Sequence, residues 1–312
     1  MALRMANVLV TGGAGFIGSN LVRALLERGD DVRVLDNFST GNRANLGGLE
    51  VEVVEGELRS YERVHNAVRG TEIVYHLGAL GSVPRSVQDP LTSNAVNVEG
   101  TLNVLLAARD EGVRRVIFSS SSSVYGMQSD LPVAEELVLD PISPYGVAKL
   151  AAERYSIAFS RIYERFESVV VRYFNVFGPR QSPFSQYAAV IPLFIDAISR
   201  GVPVRIEGDG EQRRDFTYVE NVVDGTLRAA NSAGASGRIF NIAASSPASV
   251  NQIADTVGRI LGKEVERTQA AARAGDIRDS WADVTAAREV LGYEPAVGLE
   301  DGLRRTIEFL DV

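Results

Sequence analysis

The sequence predicts an α/β fold built on a doubly wound parallel sheet, with a smaller lobe in the C-terminal part of the chain. Short apolar runs of strand length recur over positions 1–175, separated by stretches with helical apolar spacing. This alternation is typical of parallel strands joined by crossover helices. Beyond that region, glycine, proline and polar loops become more frequent and the helical stretches become shorter. We therefore expect one domain over residues 1–175 and mainly a second lobe over 176–312, with some segments returning to the first domain.

The individual elements follow from the positions of the apolar residues. A strand over residues 7–11 leads through a glycine turn into a helix over 19–28. The later strands of the first domain are predicted at 32–35, 51–54, 73–75, 116–118 and 169–171, and its long helices at 94–108 and 145–165. In the second lobe, helices are predicted at 190–200, 219–230, 250–261 and 283–291.

The composition excludes several classes of protein. Of the 312 residues, 45% are hydrophobic and 23% charged, as in ordered globular enzymes. The net charge of −8 is the wrong sign for binding a nucleic-acid backbone or an anionic membrane. Cysteine is absent, which excludes disulfides, thiolate metal sites and cysteine nucleophiles. The two histidines have no ligand spacing, so no metal is expected.

The N-terminal residues lack the apolar core and cleavage site of a secretion signal, and they run directly into the first predicted strand. No apolar stretch reaches the length of about 18 residues that spans a bilayer. We therefore expect a cytoplasmic protein without a membrane span.

The segment TGGAGFIG places Gly12, Gly15 and Gly18 directly after a predicted strand and before a predicted helix. Glycines at this spacing allow a tight turn and a close approach of the backbone to a pyrophosphate, which the helix N-terminus attracts. The second strand ends at Asp36, which follows Gly18 at the separation typical of this motif. A carboxylate there accepts hydrogen bonds from a ribose and repels a 2′-phosphate. The segment predicts a Rossmann-like domain that binds NAD rather than NADP.

Tyr145 and Lys149 lie four residues apart in a predicted helix, so their side chains share one face. An ammonium beside a phenol lowers its pKa from about 10 towards neutrality, which suits the tyrosine for removing a proton from an alcohol. A run of serines after the strand at 116–118 places Ser121 and Ser123 on one side of the carboxyl edge of the sheet. These four residues are the candidate catalytic groups.

Taken together, TGGAGFIG, DNFSTGN, SSSSSVYG, the Tyr145–Lys149 pair and RYFNVFGPRQ resemble the extended short-chain dehydrogenase/reductase family over nearly the whole chain. The chain is most similar to the UDP-hexose 4-epimerase branch. That resemblance implies a tightly bound NAD and a Tyr145 that takes the proton of the sugar 4-hydroxyl while hydride leaves C4. The 4-keto sugar then turns over, and the hydride returns to its other face. A homodimer formed by the helices at 94–108 and 145–165 is also implied.

The resemblance assigns further roles residue by residue. Ser121 and Ser123 bind the reacting oxygen, and Lys149 contacts the nicotinamide ribose. The implied cofactor-binding residues are Gly12, Gly15, Phe16, Ile17, Gly18, Asp36, Asn37, Ser39, Thr40, Gly41, Glu57, Leu58, Leu77, Ala79, Asn97, Ser119, Tyr145, Lys149 and Phe174. The implied substrate-binding residues are Ser82, Arg85, Ser121, Ser123, Tyr145, Asn175, Ala189, Val190, Ile191, Arg214, Arg273, Asp276 and Ser280.

Two positions bear on specificity. The family pattern near the adenine is Gly-Asp-hydrophobic, whereas this chain has Glu57 between Gly56 and Leu58. The longer carboxylate weakens that contact without abolishing NAD binding. Ser280 stands where glucose-selective and galactose-selective epimerases carry a tyrosine, and ALGSVPRS at 79–86 resembles epimerases that accept N-acetylhexosamines. The sequence therefore predicts interconversion of UDP-GlcNAc and UDP-GalNAc, with UDP-Glc and UDP-Gal as a further pair.

Other activities remain open on the sequence. A UDP-glucuronate 4-epimerase needs the same catalytic groups together with recognition of a carboxylate. Dehydratases of the family carry Asp-Glu just before the VYG-like segment and decarboxylases carry Glu. This chain has Ser122 and Ser123 there, which argues against an NAD-dependent nucleotide-sugar dehydratase or decarboxylase. A nucleotide-responsive regulator without turnover is disfavoured because the tyrosine, lysine and serines are all present.

Overall fold

The computed structural model describes residues 6–182, 189–272 and 277–312. Its strands are β1 (Asn7–Thr11), β2 (Asp31–Asp36), β3 (Glu52–Glu55), β4 (Ile73–His76), β5 (Arg115–Ser121), β6 (Glu167–Tyr173), β7 (Val176–Phe177), β8 (Val204–Glu207), β9 (Arg213–Asp215), β10 (Thr217–Tyr218), β11 (Ile239–Ile242), β12 (Pro247–Ser249), β13 (Arg267–Ala270) and β14 (Asp279–Ser280). Its helices are α1 (Phe16–Glu27), α2 (Tyr61–Val68), α3 (Val83–Gln88), α4 (Pro90–Asn94), α5 (Gly100–Asp110), α6 (Pro144–Ile162), α7 (Val190–Ser199), α8 (Val219–Asn231), α9 (Val250–Leu261), α10 (Thr285–Leu291) and α11 (Leu299–Leu310).

Seven strands form one parallel sheet in the order β11-β6-β5-β4-β1-β2-β3. The chain moves outward from β1 to β3, returns to β4 beside β1, and then continues in the opposite direction. The strand order therefore reverses between β1 and β4, and doubly wound folds bind their ligands at the carboxyl ends of the strands beside this point. The predicted α/β class and its doubly wound parallel sheet are confirmed, and every strand predicted before position 175 is present.

The sheet is buried on both faces, as parallel sheets require. Val8 and Val10 of β1 face one side and pack in the cluster that contains Leu21 and Val22 of α1. Leu9 faces the other side, in the cluster with residues of α2 and α5. The strand residues thus alternate between two cores, so a near-continuous apolar run was the correct signal for this strand.

Segments of the second half return to the sheet. Helix α8 packs against β5 and β6, and β11 pairs with β6 at the edge of the sheet. The remaining strands form small sheets, in the orders β12-β9-β14, β10-β7 and β13-β8. The domain boundary at residue 175 stays a prediction.

The helix predicted over 94–108 differs in form from the expectation. Helix α4 ends at Asn94, a π-helical turn covers Ala95–Glu99, and α5 begins at Gly100. Short π-helical turns of this kind are frequent at functional sites, and this one carries Asn97 towards the cleft described below. In the described part of the chain, no helix is both long and apolar enough to cross a membrane.

Candidate active site

A glycine turn connects β1 to α1 at the point where the strand order reverses. Gly12 has a φ of +70°, and a Cβ on it would lie 2.8 Å from Gly78 of the neighbouring β4 loop. A Cβ on Gly18 would lie 2.1 Å from the carbonyl oxygen of Gly12, so only glycine lets α1 approach the turn this closely. The N-cap residue Gly15 offers no side chain to the first turn of α1, which leaves its N–H donors to a ligand.

A cleft of about 730 Å³ opens above this turn. Its volume lies in the usual range for a cofactor site. Its wall contains Ser82 and Arg85 from the predicted substrate set. It also contains most of the predicted cofactor residues: Gly12, Gly15, Phe16, Ile17, Gly18, Asp36, Asn37, Ser39, Thr40, Glu57, Leu58, Leu77, Ala79 and Ser119. The wall also includes residues that the sequence reasoning missed: Leu35, Gly56, Arg59, Gly78, Leu80, Gly81, Asp89, Thr92, Val96 and Tyr173.

The carboxylate at the end of β2 organises the ribose end of this cleft. One oxygen of Asp36 accepts the N–H of Ala14 at 2.9 Å, and the other accepts the N–H of Phe38 at 2.8 Å. Each oxygen keeps a further lone pair for a ribose hydroxyl. Gly41 packs against the Asp36 carboxylate, because a Cβ added at Gly41 would lie only 3.1 Å from it. The glycine turn and this carboxylate together fit a dinucleotide.

Glu57, which stands where the family pattern has aspartate, is paired with a cation in the structure. Glu57 lies in the cleft wall, where its carboxylate pairs with Arg59. Its charge is therefore partly neutralised by its own loop. Leu58 beside it is buried against Gly100, and its carbonyl accepts the side-chain amide of Asn103 at 2.9 Å.

Asn97 acts on the cleft indirectly. Its side chain is 2% exposed, and its amide both accepts the N–H of Leu80 at 2.8 Å and donates to the Leu80 carbonyl at 3.2 Å. Leu80 lines the cleft, so Asn97 holds the cleft wall in place rather than forming it.

His76 supports the same wall from beneath. Thr101 donates its hydroxyl hydrogen to the Asn97 carbonyl at 2.7 Å, so it accepts the proton on His76 Nε2 at 3.0 Å. Nδ1 of His76 therefore accepts from the Thr11 hydroxyl at 2.7 Å, and Thr11 accepts the N–H of Gly78 at 3.0 Å. Complete burial, with a smaller effect of the nearby Lys149 charge, lowers the pKa of His76 to about 3. The imidazole is neutral, in one tautomer.

This burial predicts a pH dependence of stability. Between pH 6.5 and about 3 the unfolded chain protonates His76 and the folded chain does not, so acid favours unfolding. We expect His76 to contribute a fall in unfolding free energy of about 1.4 kcal/mol per pH unit in this window. Urea unfolding at several pH values should show a shallower slope in His76→Asn. Equal slopes in the variant and the wild type would contradict the assignment.

The candidate catalytic groups meet at the carboxyl end of β5. Ser121 Oγ lies 3.1 Å from Ser123 Oγ, so the two hydroxyls face the same side, as the sequence predicts. The Tyr145 hydroxyl bonds to Ser121, and the Lys149 ammonium donates to the Ser119 carbonyl at 2.7 Å. Residues from a strand end and from the first turns of α6 are thus joined into one cluster.

The start of α6 is held by two serines. Ser143 accepts the N–H of Gly146 at 3.1 Å as the N-cap, and Pro144 occupies the first turn, as the sequence predicts. Ser86 of α3 accepts the N–H of Tyr145 itself at 3.1 Å. Because Ser86 is 59 residues away in sequence, the pattern around Tyr145 gave no signal for this second cap.

The pKa of Tyr145 differs from the sequence expectation. Burial raises it above the usual value, and only the hydrogen bond with Ser121 opposes the rise. Lys149 is not among the groups that shift this pKa, and its ammonium donates to the Ser119 carbonyl. The protein therefore holds Tyr145 as a neutral phenol.

Some of the predicted substrate-binding residues of the second lobe lie close together. Ser280 of β14 lies opposite Arg214 of β9 in the small sheet, although the two are far apart in the sequence. Asn175 donates to the Asp215 carbonyl at 3.4 Å, which ties it to the same strand. Ala189 and Val190 begin α7. Arg273 and Asp276 lie outside the described residues.

Besides Asn97, two further predicted contacts differ in the structure. Phe174 is completely buried beside Tyr125, with ring centroids 6.0 Å apart, so its side chain does not line the cleft. Ile191 is 1% exposed, because α7 turns this residue into the core. Both residues are apolar neighbours of motif positions, and sequence alone did not show which way their side chains point.

Residues 8–243 match the family model described as the NAD dependent epimerase/dehydratase family. A UDP-glucose 4-epimerase of Mycolicibacterium smegmatis is 38% identical over 96% of this chain and 97% of its own. Among solved structures, a UDP-glucose 4-epimerase of Thermotoga maritima with UDP-glucose superposes with a TM-score of 0.93 at 39% identity, covering 98% of each chain. A UDP-N-acetylglucosamine 4-epimerase of Methanobrevibacter ruminantium with UDP-N-acetylmuramic acid gives a TM-score of 0.94 at 35% identity, covering 99% of each chain.

Similar proteins also include other substrates and reactions. A UDP-glucuronate 4-epimerase of Thermodesulfobacterium geofontis is 33% identical over 98% of this chain and 96% of its own. A dTDP-glucose 4,6-dehydratase of Streptomyces venezuelae, solved with NAD, superposes with a TM-score of 0.91 at 30% identity, covering 98% of this chain and 97% of its own.

Proposed function

Because the chain belongs to the NAD-dependent epimerase/dehydratase family, we propose that it is a UDP-hexose 4-epimerase acting on UDP-GlcNAc and UDP-GalNAc, and also on UDP-Glc and UDP-Gal. The observation that carries the proposal is the cluster of Tyr145, Ser121 and Lys149 at the end of β5, next to Ser119 in the wall of the dinucleotide cleft. A phenol, a hydroxyl and a cation thereby lie next to the cleft wall, and these are the groups that oxidation and re-reduction of a sugar alcohol requires.

In this proposal each group has a defined task. The glycine turn and Asp36 hold NAD, whose chemistry is to accept hydride from the sugar carbon and to return it. Tyr145 would take the proton of the 4-hydroxyl as the phenolate in one direction, and as the phenol it would give a proton back in the other. Ser121 and Ser123 hold the reacting oxygen. Lys149, whose ammonium donates to the Ser119 carbonyl, is the cation on which this step would draw.

Support for the epimerase over a lyase comes from β5 and its continuation. Ser122 and Ser123 form the short turn after the strand, where a dehydratase needs acidic groups for a second bond cleavage. UDP-glucuronate 4-epimerase is the second candidate function, because a protein of that name is among the similar proteins.

Purified NAD-loaded protein tests the proposal against UDP-GlcNAc, UDP-Glc, UDP-glucuronate and dTDP-glucose, with products separated by chromatography. Conversion of UDP-GlcNAc to UDP-GalNAc with no net change in NAD is the expected result. A 4-keto-6-deoxy product would establish a dehydratase, and a pentose product a decarboxylase. No conversion of any UDP-hexose by the NAD-loaded protein would contradict the proposal.

Ser280 is the proposed determinant of N-acetyl acceptance. It is partly buried beside Arg214, and a small side chain there leaves room for an acetamido group. Ser280→Tyr should lower turnover of UDP-GlcNAc at least about tenfold relative to UDP-Glc, the usual scale for a steric conflict in a pocket. Ser280→Ala is the matched control and should keep both activities. Full UDP-GlcNAc turnover in the tyrosine variant would exclude this role.

The proposal includes a homodimer. Of the two helices predicted to form it, 94–108 and 145–165, the second is α6, which exposes Val147 and Ile162 at 53% and 67%. Helix α4 packs on α6 and ends where the predicted 94–108 helix begins, and it exposes Leu91 at 83%. Apolar side chains this exposed on adjacent helices are typical of a protein interface.

A further inference from the structure

Glu153 lies one turn after Lys149 on α6 and is completely buried. Its Oε1 accepts the Ser120 hydroxyl at 2.5 Å and Arg172 Nε at 2.9 Å, and its Oε2 accepts Arg172 Nη2 at 2.9 Å. Bidentate pairing with a guanidinium keeps a buried carboxylate ionised. The catalytic helix therefore carries a buried negative charge just below its lysine.

Strand β5 joins this carboxylate to the catalytic groups through three successive residues. The Ser119 carbonyl accepts the Lys149 ammonium, and the Ser120 hydroxyl donates to Glu153. The Ser121 hydroxyl bonds to Tyr145. A change at Glu153 thus acts on the same short segment that positions the reacting groups.

The surroundings of Lys149 make this charge important. The lysine is 3% exposed, its ammonium lies 4.9 Å from the Phe118 ring centroid, and the neighbouring His76 on β4 is neutral. Burial lowers the pKa of Lys149 to about 8, and the negative charge of Glu153 opposes this fall. The other ionisable groups around it are Tyr145 on the same helix, which is a neutral phenol, and Arg172 on β6, whose guanidinium is paired with Glu153.

Arg172 has its own partners beyond Glu153. Its Nη1 donates to the Tyr125 hydroxyl at 2.8 Å and to the Glu135 carbonyl at 3.3 Å. Four of the five N–H donors of the guanidinium are thereby bonded, two of them to Glu153, whose charge it stabilises.

We propose that Glu153 is a positioning residue for the reaction, whose buried carboxylate keeps the ammonium of Lys149 protonated and directed at the Ser119 carbonyl. The proposal rests on the proposed function for the use of that ammonium by Tyr145. The protonation of Lys149, however, can be measured without turnover.

The composition of the chain makes that measurement direct. Lysine occurs only at positions 149 and 263, so NAD-loaded protein with lysine labelled at Cε gives two lysine signals by NMR, and Lys263→Arg identifies them. We expect the titration of Lys149 to move down by about one pH unit or more in Glu153→Gln, as for loss of a nearby opposite charge. Glu153→Asp keeps the charge and should titrate close to the wild type. An unchanged titration of Lys149 in Glu153→Gln would overturn the proposal.

Glu153→Gln leaves Arg172 without a counter-charge, and the variant can fail to fold for that reason alone. The double variant Glu153→Gln with Arg172→Met removes the carboxylate without this penalty. Its Lys149 should also titrate below the wild-type value, and a titration equal to the wild type would overturn the proposal in the same way.

The pH profile of turnover separates positioning from a purely structural role. Loss of the lysine proton should end activity on the alkaline side, so Glu153→Gln should shift the alkaline limb of kcat to lower pH by the same amount as the NMR titration. A structural role alone would lower kcat equally at every pH, and that result would contradict the proposal. If the wild type turns over no UDP-hexose, the proposed function fails, while the lysine titrations still decide the role of Glu153.

Discussion

Replacing Tyr145 with phenylalanine is expected to lower turnover of UDP-hexoses by about 10²- to 10⁴-fold, the usual contribution of a positioned acid–base group. The substitution removes the hydroxyl that bonds to Ser121 and leaves the ring in place. The backbone N–H of Tyr145 still bonds to Ser86, so the start of α6 should be unchanged. The measurement is kcat for each UDP-hexose, with retained NAD read from the absorbance of the denatured protein.

Tyr155→Phe provides the matched control, since it makes the same chemical change on the same helix at a side chain that is 42% exposed. It should keep wild-type turnover. If Tyr145→Phe also kept wild-type kcat with NAD bound, the phenol would not be the acid–base group and the proposed mechanism would be wrong. If the variant lost its NAD, the role of Tyr145 would lie in cofactor binding instead.

The parts of this site that the sequence predicted are those set by local structure. Gly12, Gly15 and Gly18 act within a single turn, and Asp36 follows one strand. Strand periodicity and helix capping act over the same short range, which is why six of the seven strands of the sheet and the Ser143 cap were recognised, whereas β11 was not predicted. These signals need no knowledge of which distant segments meet.

The parts that the sequence did not predict depend on contacts between distant segments. Ser86 reaches Tyr145 across 59 residues, and Arg172 reaches Glu153 from the adjoining strand. The burial of Phe174 likewise follows from packing against Tyr125. A motif names the residue types at a site, but the orientation of each side chain is decided by its tertiary neighbours.

The pKa of Tyr145 illustrates the same limit in electrostatics. The spacing of Tyr145 and Lys149 predicted a lowered phenol pKa, whereas burial raises it. Helical spacing brings the two side chains to one face, but it does not determine what the ammonium binds. In the structure the ammonium binds the Ser119 carbonyl, and burial lowers its pKa while the charge of Glu153 opposes that fall.

Gly18→Ala is expected to destabilise the protein by about 2 kcal/mol or more, the usual cost of overpacking, and to weaken NAD binding at least about tenfold. The added Cβ would lie 2.1 Å from the Gly12 carbonyl oxygen and 2.9 Å from Gly13 Cα, both backbone atoms that cannot turn aside. Helix α1 must then move away from the turn. The N–H donors at its start move with it, so the pyrophosphate loses aligned partners. Thermal unfolding and NAD titration of the purified variant measure both effects.

Gly298→Ala is the control that separates this steric effect from a general cost of adding a methyl group. Gly298 is the residue before the first turn of α11, just as Gly15 is for α1, and a Cβ on it meets nothing within 4 Å. It should unfold within about 1 kcal/mol of the wild type, the usual cost of an alanine at a helix N-cap, and bind NAD normally. Should Gly18→Ala bind NAD as tightly as Gly298→Ala, the close approach of α1 to the glycine turn would not be what holds the dinucleotide. The binding site would then have to be assigned to the other wall of the cleft, around Leu77 and Ala79.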